Sequence, residues 1–249
     1  MLEASKSSKA RILNALSFPL PLSGITPSTM SSEIEAWRAT EGRLFCSRTL
    51  AFPVGDIRWG LAATAGARHW IHIDSDGFGT FIDVKCGGKW WILFGPSVGG
   101  TKKDFAEIDT FLDNFDTNAE IGGRFDLKVE KNNTFWVAEA IYLSPGTRLY
   151  VFSDIIVIIL LRISTRIMRP NTPHAVFTTD HCITYGGHYY STSNLQDTFY
   201  AIVHCLMANN LITNTHHFPS RQLLLRMMQY FHKCFVVGVE EDGDLSIIP

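Results

Sequence analysis

The run Arg68-His69-Trp70-Ile71-His72-Ile73-Asp74-Ser75-Asp76-Gly77-Phe78-Gly79-Thr80-Phe81-Ile82-Asp83-Val84-Lys85-Cys86-Gly87-Gly88-Lys89-Trp90-Trp91-Ile92-Leu93-Phe94 decides the fold class. Residues 68–74 are apolar and β-branched and read as a strand. Ser75 to Gly79 is a polar, glycine-rich turn. Residues 80–85 read as a second strand, Cys86-Gly87-Gly88 turns the chain, and Lys89 begins a third. Strand, turn, strand, turn, strand predicts an antiparallel meander of the kind found in small barrels and jelly rolls.

The same run carries the chemistry. Alternate residues of a strand share a face, so the His72 imidazole and the Asp74 carboxylate are expected to point the same way. Far downstream, the proline-punctuated turn Met168-Arg169-Pro170-Asn171-Thr172-Pro173 leads into an apolar strand opened by His174. Two histidines and one carboxylate cap one face of a ferrous ion and leave the opposite face open to reactants. Lys89, fifteen residues after Asp74, supplies a cation for an anionic cosubstrate. An H-x-D tripeptide alone is weak evidence in a chain with nine histidines, and its weight comes from these surroundings.

With these blocks in this order, the sequence resembles the JmjC (Jumonji C) iron(II)- and 2-oxoglutarate-dependent oxygenases of the cupin superfamily. The resemblance rests on His72-Ile73-Asp74, Gly79-Thr80, Gly88-Lys89, Ser144-Pro145-Gly146, Pro173-His174-Ala175-Val176 and the closing Tyr185-Gly186-Gly187, within residues 60–200. Its motifs are most similar to the histone lysine demethylase branch. It implies a mainly β fold with flanking helices, a double-stranded β-helix (jelly roll) at its core. It also implies His72, Asp74 and His174 as iron ligands, Lys89 as partner of the distal carboxylate of 2-oxoglutarate, and Thr80 as a hydroxyl donor to that carboxylate. The reaction implied is oxidation of a C–H bond on a protein or peptide substrate, a histone tail being one candidate. Stable hydroxylation and demethylation are both open outcomes. A metal-binding cupin that dispenses with 2-oxoglutarate, or a catalytically inactive interaction module, are the competing readings.

Two departures stand out. The branch often has a threonine three residues before its first ligand, where this chain has His69. Odd strand spacing predicts that His69 points away from the interior. Pro145 and His174 are 29 positions apart, and setting aside the 17 residues 151–167 brings that to the dozen usual in the family. The inserted text is either a translated intron of 51 nucleotides or a genuine strand extension. If genuine, its apolar centre must be buried, since an exposed edge of that composition aggregates.

The remaining features are consistent with an intracellular protein in a reducing compartment, nuclear or cytoplasmic. Five cysteines, odd in number and without a C-x-x-C pair, do not form a disulfide framework. No signal peptide or membrane span is expected. A net charge of −2 argues against direct nucleic-acid binding. The expected organisation is an irregular or helical N-terminal segment over 1–45, the JmjC jelly roll over 46–192, and C-terminal helices packed on the core over 193–249. A short capped helix is expected near Ser31, a helix over Asp104 to Asn118, and one opened by a capping box at Ser193-Asn194-Leu195-Gln196. Leu195, Phe199, Ile202, Val203, Leu206 and Met207 trace its expected buried face. In a following helix from Pro219-Ser220 the apolar positions are Leu223, Leu224, Met227, Met228 and Phe231. His216-His217 reads as a solvated pair between helices, His181 and His188 as bystanders, and the acidic tail 240–244 as exposed.

Overall fold

The structure is a computed structural model that describes residues 12–18, 31–40, 52–96, 136–150, 168–208, 216–217 and 219–238. The segment 151–167, the expected helix over 104–118 and the acidic tail lie outside the described residues. Two antiparallel sheets form the body. Their strands are β1 (Asn14–Phe18), β2 (Arg58–Ala63), β3 (Arg68–His72), β4 (Gly79–Cys86), β5 (Lys89–Pro96), β6 (Trp136–Leu143), β7 (Arg148–Tyr150), β8 (His174–Thr178) and β9 (Cys182–Tyr189). One sheet has the order β1-β2-β9-β4-β7 and the other β3-β8-β5-β6.

The strands stand close to where the sequence puts them, but the expected meander does not form. The consecutive strands β3, β4 and β5 do not pair with one another. β4 joins the five-stranded sheet beside β9, while β3 and β5 flank β8 in the four-stranded sheet. The chain therefore crosses between sheets at each turn. The physical reason is burial on both sides of the gap. Ile82, Val84 and Cys182 from one sheet meet Trp91, Leu93, Leu143 and Val176 from the other in a single apolar core, and a hairpin meander would leave one such face in water.

The helices are α1 (Ser32–Ala39), α2 (Val54–Ile57), α3 (Leu195–Ala208) and α4 (Ser220–His232), and short 3₁₀ turns at Ser75–Gly77 and Thr192–Asn194 precede β4 and α3. No described helix is long and apolar enough to cross a membrane. α1 and α4 share a second core of Ala36, Trp37, Ile57, Phe78, Tyr190, Leu223 and Met227, so the apolar stripe expected of α4 is half right: Leu223 and Met227 are buried and Met228 is exposed.

Two helix expectations are corrected. The Ser193 hydroxyl bonds Ser191 Oγ at 2.8 Å, with no capping box, because a 3₁₀ turn precedes α3. α3 also turns a different face inward: Thr198, Ala201, His204 and Cys205 are buried, while Phe199, Leu206 and Met207 are exposed. A close approach dictates this. Thr198 Oγ1 donates to the Gly77 carbonyl at 2.9 Å, and His204 Nδ1 bonds the buried Asn171 Oδ1 at 2.9 Å. Only small or hydrogen-bonding residues fit there.

Gly77 sits in the left-handed region with φ 71°, and a Cβ there would lie 2.6 Å from the Thr198 carbonyl oxygen. Gly77→Ala therefore combines a backbone penalty of about 1–2 kcal/mol with a backbone clash. The variant is expected to lose at least that much stability in chemical denaturation, and an unchanged midpoint would contradict the packing described.

Candidate metal centre

His72 closes β3 and His174 opens β8, and the pairing of these strands sets the two directly opposite each other. Their rings lie 4.2 Å apart between centroids. Asp74 follows β3 at the start of the 3₁₀ turn and completes the group. Its Oδ1 is 4.0 Å from His72 Nε2 and 4.0 Å from His174 Nε2, and the three donor atoms all lie within 4.8 Å of one another. The structure thus brings His72, Asp74 and His174 together, as the sequence predicts.

Their protonation is set by neighbours. His72 Nδ1 bonds the Trp70 carbonyl at 2.7 Å and His174 Nδ1 bonds the Thr172 carbonyl at 3.1 Å. A carbonyl only accepts, so each Nδ1 carries a proton, which leaves Nε2 as the nitrogen to meet a metal. Burial pushes His174 down to about 3, which keeps it neutral at ordinary pH, and the ring stacks on Trp91 at 5.0 Å with planes 7° apart. Burial alone would raise the Asp74 carboxyl, but His174, His188 and His72 and the Thr80 hydroxyl outweigh it and hold it at about 2. The donor set is therefore two imidazoles and one carboxylate, which suits a divalent transition metal. Donors about 2.1 Å from such an ion and at right angles sit about 3 Å apart, so small side-chain rotations close the three around it.

Thr80 is placed differently from its expected role. It lines the same cavity, but its hydroxyl donates to Asp74 Oδ2. The direction follows from the next links. Trp59 Nε1, which can only donate, bonds His188 Nε2 at 3.1 Å. His188 Nδ1 therefore holds the ring proton and gives it to Thr80 Oγ1 at 2.9 Å. The single Thr80 proton then goes to Asp74. Trp59, His188, Thr80 and Asp74 form one directed chain that orients the carboxylate. Both His188 nitrogens are engaged, which explains why it is not a ligand although Nδ1 stands 4.0 Å from Asp74 Oδ2.

The cavity measures about 110 Å³, against the roughly 10–15 Å³ that one water needs. Lys89 opens β5 on the face it shares with Trp91 and stands in the wall of this cavity, 3% exposed. No carboxylate among the described residues pairs with its ammonium, and burial lowers its pKa. His69 is a correction. A bulge between His69 and His72 sets two residues of β3, Trp70 and Ile71, against one of β8, Ala175, so His69 pairs with Val176 and joins the cavity lining. Burial, His72 and Lys89 push it down to about 4, and its Nε2 meets the Asn14 side-chain amide.

His217, read from sequence as solvated, also lines the cavity. Asp76 holds it there by accepting its backbone N–H at 2.6 Å. No sequence signal pointed to His217, since the tether joins residues 141 positions apart. His181 remains a bystander: it is exposed and its Nδ1 accepts the Ala65 amide at 3.1 Å.

No protein-family profile matches the chain. No curated protein matches it either. Among solved structures it is similar, weakly, to Peruvianin-I, a cysteine peptidase from Thevetia peruviana latex, at 8% identity and a TM-score of 0.28 over 53% of this chain and 48% of that one. A Bacillus subtilis oxalate decarboxylase studied for its Mn(II) centres is similar at 7% identity and a TM-score of 0.27, over 56% of this chain and 23% of that one. The chain thus spans half or less of the length of either. Scores this low carry no argument about fold or activity, and the candidate site stands on its own geometry.

Proposed function

We propose that the chain is an Fe(II)- and 2-oxoglutarate-dependent dioxygenase of the JmjC type, built on a double-stranded β-helix and acting on a protein or peptide substrate. The demethylase-like motifs make a methylated lysine tail, such as a histone tail, the first substrate to try. Strands that alternate between two facing sheets support the fold reading. The observation that carries the function is one cavity holding both a His72–Asp74–His174 donor set and the buried Lys89 ammonium without a carboxylate partner among the described residues. A buried charge is costly until paired, so such a lysine favours an anionic ligand in that cavity.

When bound, iron and 2-oxoglutarate supply the oxidising chemistry. The chain's own residues do the rest. Trp70 and Thr172 carbonyls fix the two imidazoles as lone-pair donors. The Trp59–His188–Thr80 chain keeps Asp74 ionised and aimed. Trp91 buries the back of His174 and keeps water from it. Lys89 would pair with the far carboxylate of the cosubstrate and neutralise its charge.

Lys89→Met tests the reading. The variant keeps the stem volume and removes the charge. The 2-oxoglutarate concentration needed for half-maximal succinate formation is expected to rise roughly 10-fold or more, with iron(II) affinity unchanged. An unchanged requirement for 2-oxoglutarate would remove Lys89 from the role. Iron binding with no response to 2-oxoglutarate in the parent protein would favour a metal-binding cupin without that cosubstrate.

A further inference from the structure

Lys89 is not the only hydrogen-bond donor that lines the cavity. Thr184 is fully buried, lines the cavity, and its Oγ1 has no hydrogen-bond partner among the described residues. Trp91, also buried and lining the cavity, has an unpartnered Nε1. Buried polar groups in folded proteins are nearly always satisfied, and each exception calls for an explanation. Here both exceptions lie in the same cavity as Lys89, which has no carboxylate partner among the described residues.

The topology explains how they meet. Thr184 lies on β9 in the five-stranded sheet, two residues from Cys182 and on the same strand face. Lys89 lies on β5 in the facing sheet, two residues from Trp91 on the same strand face, and all three side chains line the one cavity. Lysine and indole can only donate, and a hydroxyl can donate. Three groups with protons to donate and no carboxylate among them make a complement for a carboxylate, which only accepts. Thr80 is excluded from this task, because its one proton is committed to Asp74.

We propose that Thr184, with Lys89 and the Trp91 indole N–H, forms the cradle for the terminal carboxylate of the cavity's ligand, and that Thr184 is the hydroxyl that fixes its position. This rests on the dioxygenase reading only for the identity of the ligand, since any small dicarboxylate that fits shares the chemistry.

The test is Thr184→Val, which keeps the shape and removes the hydroxyl, with Thr80→Val beside it. Succinate and 2-oxoglutarate are titrated by calorimetry into the full-length chain loaded with the redox-inert Zn(II), so that binding is read without turnover. Thr184→Val is expected to weaken both ligands about 10-fold or more and to leave Zn(II) affinity unchanged. Without ligand, its Tm is expected to equal or exceed that of the parent, because an unsatisfied buried hydroxyl is gone. A purely structural threonine would show the reverse, a lower Tm and intact affinity. Thr80→Val is expected to weaken Zn(II) instead, through Asp74. Parent-like dicarboxylate affinity in Thr184→Val overturns the proposal. If the parent itself binds zinc but neither dicarboxylate, the dioxygenase reading falls and the cradle falls with it. If succinate binds but 2-oxoglutarate gains nothing from the metal, the cradle stands and the dioxygenase reading does not.

Discussion

His174→Ala is expected to lower iron(II) affinity by roughly 100-fold or more, beyond the 10–100-fold typical of losing a group that merely supports a ligand, and to abolish turnover. The fold should survive. His174 contributes no buried hydrogen bond that another element depends on, since its Nδ1 bonds only the Thr172 carbonyl two residues back. Its removal leaves space beside the Trp91 ring, in a cavity already large enough for water. Far-UV circular dichroism is expected to be unchanged while iron binding is lost. Parent-like iron affinity in the variant would contradict the ligand assignment outright.

Arg58→Ala is expected to have the largest effect on stability. Glu33 on α1 is 1% exposed, and its Oε1 lies 3.8 Å from Arg58 Nη2 at the start of β2. Its other oxygen accepts the Tyr190 amide at 3.0 Å. Arg58 also donates to the His188 carbonyl and covers the Phe81 ring at 5.4 Å. This pair fastens the N-terminal helix to the sheet that carries His188. Above about pH 7, where Glu33 is ionised, removing one member of a buried pair costs about 3–5 kcal/mol, because the other charge is left stranded. That is a large part of the roughly 5–15 kcal/mol that holds a typical domain together. Replacing both, as Glu33→Gln with Arg58→Met, should recover most of the loss.

The pH dependence has a definite sign. Burial outweighs the Arg58 charge and raises Glu33 from 4.5 to about 7. The folded state thus holds this proton more tightly than the unfolded chain does. The resulting stabilisation is complete below pH 4.5 and is lost as pH rises to about 7. Urea midpoints across that window should show the loss in the parent and a flatter profile in Glu33→Gln. Equal slopes in the two would exclude Glu33 as the source.

Much of the site was legible because its key residues are local in sequence or follow a punctuated turn. His72 and Asp74 sit two apart, Lys89 opens the strand after a double glycine, and His174 follows Pro173. What the sequence hid depends on pairing. Which strand lies beside which is a property of two distant segments, so the expected meander gave way to strands crossing between sheets. The bulge that turns His69 inward leaves no mark in hydropathy. The partners of Thr80 are Asp74 after β3 and His188 on β9, and without them its hydroxyl looked free for a ligand. The face of α3 was misread because Phe199, Leu206 and Met207 are the stronger apolar signal, while the close approach to Gly77 selects Thr198 and Ala201.

The central claim is that one cavity holds both a metal on His72, Asp74 and His174 and a 2-oxoacid anchored by Lys89. Anaerobic titration of 2-oxoglutarate into the iron(II)-loaded protein tests it most directly, since a 2-oxoacid chelating iron(II) produces a visible metal-to-ligand charge-transfer band. The account predicts a saturable band that is absent in His174→Ala and needs roughly 10-fold more 2-oxoglutarate in Lys89→Met. Folded, iron-loaded protein that shows no band at saturating 2-oxoglutarate would contradict it.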